Sequence, residues 1–374
     1  MDNRKTEKYL EIAFIAVFFL IITIPVIFWG NQKERSIKLE KRFLNEFYLP
    51  ADMSAITSDY TKDVESFITD HLGFRADFVT FTNQLRYKIF GADAIPSSER
   101  VIEGKDGWLF YNPQGISGDP IGDYLGETTF SNEDINNIIN QLLSIQSVCD
   151  SVGSKFCLVI CPNKECIYGD LYLPDYYSQE RAEETRTDKL VDRIKDTTNI
   201  DCVYSKEELM SQRDDYLLYY KHDTHWNKLG AYITYREWYS HVFGKELPEL
   251  ESCRLTPDES EYCDLANNMG IIMEPDQYYS VDLGREYTVN TEITDSDLQK
   301  YSEYTSSNHN GLTSVIFRDS YSNALLPYML LDYEKSYVFS KRIDQNDLEF
   351  IRETKPDIVV FEIVERLIGL LQEE

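Results

Sequence analysis

From Ile12 to Trp29 the chain runs for 18 residues without a charge, built mainly of Ile, Phe, Val and Leu. As a helix this stretch is about 27 Å long, close to the ~30 Å hydrocarbon core of a bilayer. Pro25 is tolerable near the end of a membrane helix. A secretory leader is the rival reading, but its apolar region is roughly 7–15 residues and ends in small residues at a cleavage site. Here the run ends in Phe28-Trp29-Gly30-Asn31-Gln32. The expectation is an uncleaved single-pass anchor within residues 1–31. Its orientation is contested. Lys33, Arg35, Lys38, Lys41 and Arg42 outnumber Arg4, Lys5 and Lys8 on the other flank, and the positive-inside rule then disfavours an exported body.

Nearly 345 residues follow, enough for one large α/β domain or two smaller ones. Lys and Arg total 37 against 65 Asp and Glu, a formal charge of -28. Such a body is repelled by nucleic acid and by anionic head groups, so no nucleic-acid partner is expected. Seven cysteines, an odd number, do not pair completely. Cys161 and Cys166 lack zinc-knuckle spacing, Cys157 reads as a small core residue, and Cys253 and Cys263 bracket an acidic insert that a disulfide would close.

Residues 32–98 read as a membrane-proximal helical segment, mostly helical to about Phe90 and interrupted at Gly73-Phe74-Arg75. Residues 99–374 read as the main body. Val101 to Tyr111 suggests a hairpin turning at Lys105-Asp106-Gly107. Ser131-Asn132-Glu133-Asp134 caps a helix reaching Val148, and Lys155–Cys161 is a buried strand. Helices over Ser178–Thr197, Ser205–Gln212 and Trp226–Phe243 alternate with short strands. A polar, tyrosine-rich region at about 250–310 reads as an inserted or edge β region. Strands at Thr313–Phe317 and Ile358–Phe361, a helix over Tyr321–Leu331 disturbed by Pro327, and a C-terminal helix from Val364 complete the pattern. This alternation predicts a three-layer α/β sandwich around a mainly parallel sheet.

Two polar clusters carry the chemistry. The first is Tyr219-Tyr220-Lys221-His222-Asp223-Thr224-His225-Trp226-Asn227. The second, Arg318-Asp319-Ser320-Tyr321-Ser322, directly follows the apolar strand. A serine hydroxyl becomes nucleophilic when a base takes its proton, and a carboxylate on the other ring nitrogen orients that base. Ser320, His225 and Asp223 supply these three groups, and a helix N-terminus after Ser320 would favour an oxyanion. Arg318 could bond the oxyanion or pair with Asp319, and Asp319 reads better as a helix cap. Asn163, after the 155–161 strand, is a possible oxyanion donor or a turn former. Trp226 reads better as packing than as a substrate platform, and Asn227 as support. An Asp-x-His pair is also half of a metal site, but nothing completes it convincingly, so no metal or cofactor is expected.

These landmarks also occur in order in a known family. The Gly73-Phe74-Arg75 break, Gly104-Lys105-Asp106-Gly107-Trp108-Leu109-Phe110, Pro162-Asn163-Lys164, Asp223-Thr224-His225-Trp226, Arg318-Asp319-Ser320-Tyr321 and Lys355-Pro356-Asp357-Ile358-Val359 resemble the DHHW proteins and the related alginate O-acetylation proteins of the SGNH hydrolase-like superfamily. The resemblance implies an SGNH-like fold with Ser320 as nucleophile, His225 as base and Asp223 as its orienter. Beside these, Arg318, Asn163 and Tyr321 are the candidates for oxyanion or substrate positioning. It also implies a body outside the cytoplasmic membrane, against the charge count. Thr224 stands where the family name expects a histidine. The implied activity is acetyl transfer to a cell-surface glycan, with the donor supplied by a separate multi-spanning acyltransferase. Carbohydrate ester hydrolysis and a non-catalytic glycan-binding or scaffold role remain open alternatives.

Overall fold

The computed structural model describes residues 3–31, 43–53, 56–96, 100–113, 118–178, 180–259, 263–274, 276–285, 289–295 and 300–372. The chain divides into two units, one of Met1–Ser98 with Ala266–Met273 and one of Glu99–Leu265 with Glu274–Glu374.

In the first unit, helix α1 (Asn3–Ile27) exposes nearly all its apolar side chains. Among the described residues it is the one helix long and apolar enough to cross a membrane, over Lys8–Ile27. That matches single-pass anchoring with an extracytoplasmic bulk. The basic cluster Lys33 to Arg42 lies outside the described residues. Helix α2 (Ser58–His71) starts at Thr57, whose hydroxyl accepts from Tyr60 N at 3.2 Å. Helix α3 (Arg75–Phe90) follows after a break at which Phe74 takes a left-handed φ of 61°. The sequence reads as mostly helical from Gln32 onward, yet residues 43–50 have no regular structure. Pro50 has no N–H and biases the residue before it away from helix. Asn45 instead donates its backbone N and its Nδ2 to Asp70 on α2.

In the second unit, β1 (Val101–Glu103) and β2 (Leu109–Tyr111) form the expected hairpin. The remaining strands are β3 (Lys155–Cys161), β4 (Asp201–Val203), β5 (Arg254–Asp258), β6 (Tyr278–Asp282), β7 (Val289–Asp295), β8 (Lys300–Ser306), β9 (Thr313–Phe317), β10 (Lys335–Phe339) and β11 (Ile358–Val364). Seven of them make the central sheet, in the order β4-β3-β11-β9-β10-β8-β7. From β4 to β10 every pairing is parallel, while β8 and β7 add antiparallel at one edge. β5 and β6 pair separately.

The layering follows from side-chain alternation. Cys157, Val159, Ile316, Val360 and Val364 face one core, and Phe156, Leu158, Val315, Val359 and Phe361 face the other. Both faces are covered, which is why β3 and β11 read as continuous apolar runs. The second core is closed by α4 (Asn132–Val152), α6 (Arg186–Thr197) and α9 (Gln345–Thr354). The first is closed by α5 (Lys164–Tyr172), α7 (Lys228–Phe243) and α8 (Ser322–Met329). Each fully buried Leu or Ile contributes about 1.5–3 kcal/mol.

Local details depart from the sequence expectations. Ser178–Thr197 is not one helix. α6 starts afresh at Thr185, which forms a reciprocal capping box with Asp188. The C-terminal segment Glu365–Gln372 is a 3-10 helix rather than an α-helix. No disulfide joins Cys253 to Cys263; the Cys253 thiol donates instead to Tyr232 and to Pro248 O.

Candidate active site

Ser320 lies just past the carboxyl end of β9 and exposes its side chain. His225 comes from the loop between Leu218 and Asn227. That loop doubles back on itself: Tyr220 N donates to His225 O, Asn227 N donates to Leu218 O, and Tyr219 bridges Trp226. Asn227 then caps α7, its Oδ1 accepting from Leu229 N and Gly230 N. A Cβ at Gly230 would lie 2.5 Å from Leu218 O, so glycine lets the loop close onto the helix.

This folding joins groups 95 residues apart. Ser320 Oγ is 2.7 Å from His225 Nε2, and His225 Nδ1 is 2.6 Å from Asp223 Oδ1. With its proton on Nδ1 donated to Asp223, the imidazole leaves Nε2 free to accept from the serine. Burial pushes the Asp223 carboxyl up, but His225 and the backbone N–H groups of Asp264 and His225 outweigh it and hold it at about 2. Asp223 is therefore ionised whenever the imidazole needs a counter-charge. Chemically, the arrangement can take a proton from the Ser320 hydroxyl and return it to a leaving group.

Tyr321 and Trp226 brace this pair. The buried Tyr321 ring sits 4.8 Å from the His225 ring, and its hydroxyl donates to Thr224 O at 2.5 Å. Trp226, wholly buried, donates Nε1 to Tyr321 O at 2.9 Å and so links the two loops. Asp319 accepts from Tyr321 N and from Val364 N, stapling the serine loop to the end of β11. Arg318 bonds the carbonyl of Asp319, not its carboxylate, and Asn323 Oδ1. Asn163 is buried and engaged: its N–H donates to Glu365, its Nδ2 to Asp123, and its Oδ1 accepts from Arg366 N. Those contacts make it a brace of the interior.

Three residues had no assigned role in the sequence reading. Lys164 is fully buried, and its ammonium donates to the carbonyls of Tyr220, Lys221 and Asp223, at 3.2, 3.2 and 2.6 Å. Burial lowers its pKa to about 8, although nearby carboxylates resist the shift. Glu362 lies buried on β11 and accepts from Asp319 N, Ser322 Oγ and the Cys161 thiol. Burial, reinforced by the Asp319 charge, raises its pKa well above the usual range. A lone glutamate inside Ile358-Val359-Val360-Phe361-Glu362-Ile363-Val364 was a visible signal.

Asp264, 40 residues from Thr224, accepts from that residue's N and Oγ1 and lies 3.9 Å from His225 Nδ1. Asp223, His225 and Asp264 bring potential ligand atoms within 4.8 Å of one another. The Asp264 oxygens, however, already accept from Thr224, and those of Asp223 from His225 N, His225 Nδ1 and Asp264 N. The same oxygens that a cation would need thus hold the loop's shape.

Several solved structures align with this chain. Bacillus cereus PatB1 with a sulfonyl adduct aligns with a TM-score of 0.50 at 14% identity, over 71% of this chain and 94% of that one. A DHHW family protein from Eubacterium siraeum aligns at 0.49 and 19%, over 73% and 95%. The O-acetyltransferase domain of Pseudomonas putida AlgJ aligns at 0.44 and 15%, over 72% and 92%. No curated protein matches the sequence. The family model described as "SGNH hydrolase-like domain, acetyltransferase AlgX" matches residues 101–297, a span that holds Asp223 and His225 and ends before Ser320. Since that match covers more than half of the chain, the protein belongs to the AlgX family of SGNH hydrolase-like acetyltransferase domains.

Proposed function

We propose that this chain is a membrane-anchored, extracytoplasmic O-acetyltransferase that esterifies hydroxyls of a cell-surface polysaccharide through Ser320. The observation that carries the reading is the continuous chain from Ser320 Oγ through His225 to Asp223, with links of 2.7 and 2.6 Å. Ser320 Oγ attacks the acetyl carbonyl as its proton passes to His225 Nε2. The tetrahedral intermediate collapses when the imidazolium gives that proton to the departing alkoxide, leaving acetyl-Ser320. A sugar hydroxyl then attacks the ester, with His225 again as base, and the proton returns to Ser320 Oγ. Asp223 orients the ring and balances the imidazolium.

Membership of an acetyltransferase family supports the reaction class. The exposed position of Ser320 suits a bulky acceptor, and the apolar α1 suits action at a membrane surface. The donor is assigned to a separate multi-spanning acyltransferase, since the one spanning helix among the described residues offers no route for carrying acetyl groups across a bilayer. Arg318, on the serine loop, is the cation assigned to substrate positioning.

The test is mass spectrometry of the protein after exposure to an activated acetyl ester, beside Ser320→Ala. An acetyl adduct on Ser320, absent from the variant and discharged faster by an oligosaccharide than by water, is the expected result. Discharge to water alone would make the protein an esterase. No adduct on a folded protein would leave it a non-catalytic envelope component.

A further inference from the structure

Helix α3 is built the wrong way round for a helix in water. Phe78, Phe81, Leu85 and Ile89 are 50–67% exposed. At 3.6 residues per turn they fall within an arc of roughly 80°. The opposite face, Ala76, Thr80 and Asn83, is the buried one. Asn83 Nδ2 donates to Met269 O at 2.8 Å, and a Cβ at Gly270 would lie 2.8 Å from that same Nδ2. The helix thus hides small and polar groups and shows phenylalanines. Exposed apolar stripes of this kind mark a binding surface.

The start of α3 is tied to the end of α1. Gly73 N donates to Pro25 O at 2.9 Å, and Gly30 N to His71 O at 2.8 Å. The rings of Phe28 and Phe74 meet at 5.0 Å. A Cβ at Gly73 would lie 2.6 Å from Phe28 O, so the contact admits nothing larger. The apolar window of α1 spans Lys8–Ile27, 20 residues, or about 30 Å, the thickness of the hydrocarbon core. Its end, and the α2–α3 turn bonded to it, therefore lie at the boundary between acyl chains and head groups.

We propose that α3 is an interfacial membrane helix, with Phe78, Phe81, Leu85 and Ile89 seated in the lipid of the bilayer that α1 spans. Arg86 and Lys88 are exposed on the two sides of the stripe, where they reach lipid phosphates. In a chain of net charge -28, this placement of cations beside an apolar face suits a phospholipid surface. A second copy of the chain would also be repelled by its own charge.

The full chain, reconstituted in phosphatidylcholine vesicles carrying a photoactivatable acyl chain, tests this by mass-spectrometric mapping of lipid adducts. Adducts are expected on α1 and on Phe78, Phe81, Leu85 and Ile89. In Phe81→Asp/Leu85→Asp the α3 adducts should fall at least tenfold while those on α1 persist. Arg86→Glu/Lys88→Glu, which leaves the apolar stripe and the buried face untouched, should lower α3 labelling severalfold in vesicles containing phosphatidylglycerol. Labelling of wild-type α3 no stronger than that of the buried α7 would overturn the proposal. So would α3 labelling that Phe81→Asp/Leu85→Asp leaves unchanged.

Discussion

The loop bearing His225 and the loop bearing Ser320 are held from below by opposite means. The histidine loop turns carbonyl oxygens inward, and one buried ammonium, Lys164, collects three of them. The serine loop turns donors inward, and a buried carboxyl, Glu362, accepts from Asp319 N and Ser322 Oγ. A loop that runs under the surface must satisfy its backbone groups. Which charge does so is dictated by which groups point inward. The two halves of the site should therefore fail differently.

Removing the lysine should do the greater damage. Lys164→Met leaves three buried carbonyls without their donor, and a buried acceptor left unsatisfied costs about 1–3 kcal/mol. Thermal unfolding should show that loss together with a collapse of turnover. A variant that kept full stability would break the account of Lys164 as the histidine loop's anchor.

Opposite pH slopes sharpen the comparison. The Lys164 pKa falls from 10.5 to about 8 on folding. Between those values the unfolded chain binds more protons, so this residue's contribution to stability rises with pH. The stability gap between wild type and Lys164→Met should widen from pH 8 to pH 10. Glu362 is raised instead. Its contribution is full below the ordinary carboxyl range and falls as pH climbs toward its folded value. Glu362→Gln resembles the protonated acid in shape, so it should cost about 1 kcal/mol or less near neutrality. Its stability profile should be flatter than that of wild type above pH 5, while Glu362→Ala should lose turnover severalfold. A glutamine variant as inactive as Ser320→Ala would mean that Glu362 does more than hold the loop.

A smaller effect than that of Lys164→Met is expected at Asp264. Asp264→Asn keeps an oxygen for Thr224 N and removes a charge 3.9 Å from His225 Nδ1. Turnover should fall by about threefold to tenfold, matching the ~1 kcal/mol of a lost charge-assisted bond. Steady-state kinetics with an activated acetyl ester reads this. A fall as deep as that of Asp223→Asn would show that the two carboxylates share the imidazole.

Much of this was legible in the residues. Asp223 and His225 stand two apart, and Ser320 follows an apolar strand, so local spacing already put the imidazole beside its acid and the hydroxyl at a strand end. The apolar runs of β3 and β11 already implied strands covered on both faces. Asp264 gave no such signal, because its relation to Thr224 depends on a chain reversal of 40 residues. Lys164 stood in a recognisable Pro162-Asn163-Lys164 stretch, yet which carbonyls it would serve is not written there. Glu362 was visible as an anomaly without a stated purpose.

Local residue patterns settle the element types and the chemistry: a spanning run, alternating helices and buried strands, and an acid, an imidazole and a hydroxyl. Those follow from hydrophobic periodicity and side-chain type, which act over a few residues. Only the tertiary structure decided which buried charge holds which loop, that Asn163 faces the interior, and that α3 shows its phenylalanines outward. These depend on distances between residues far apart in the chain, and packing sets such distances only once the whole core has closed.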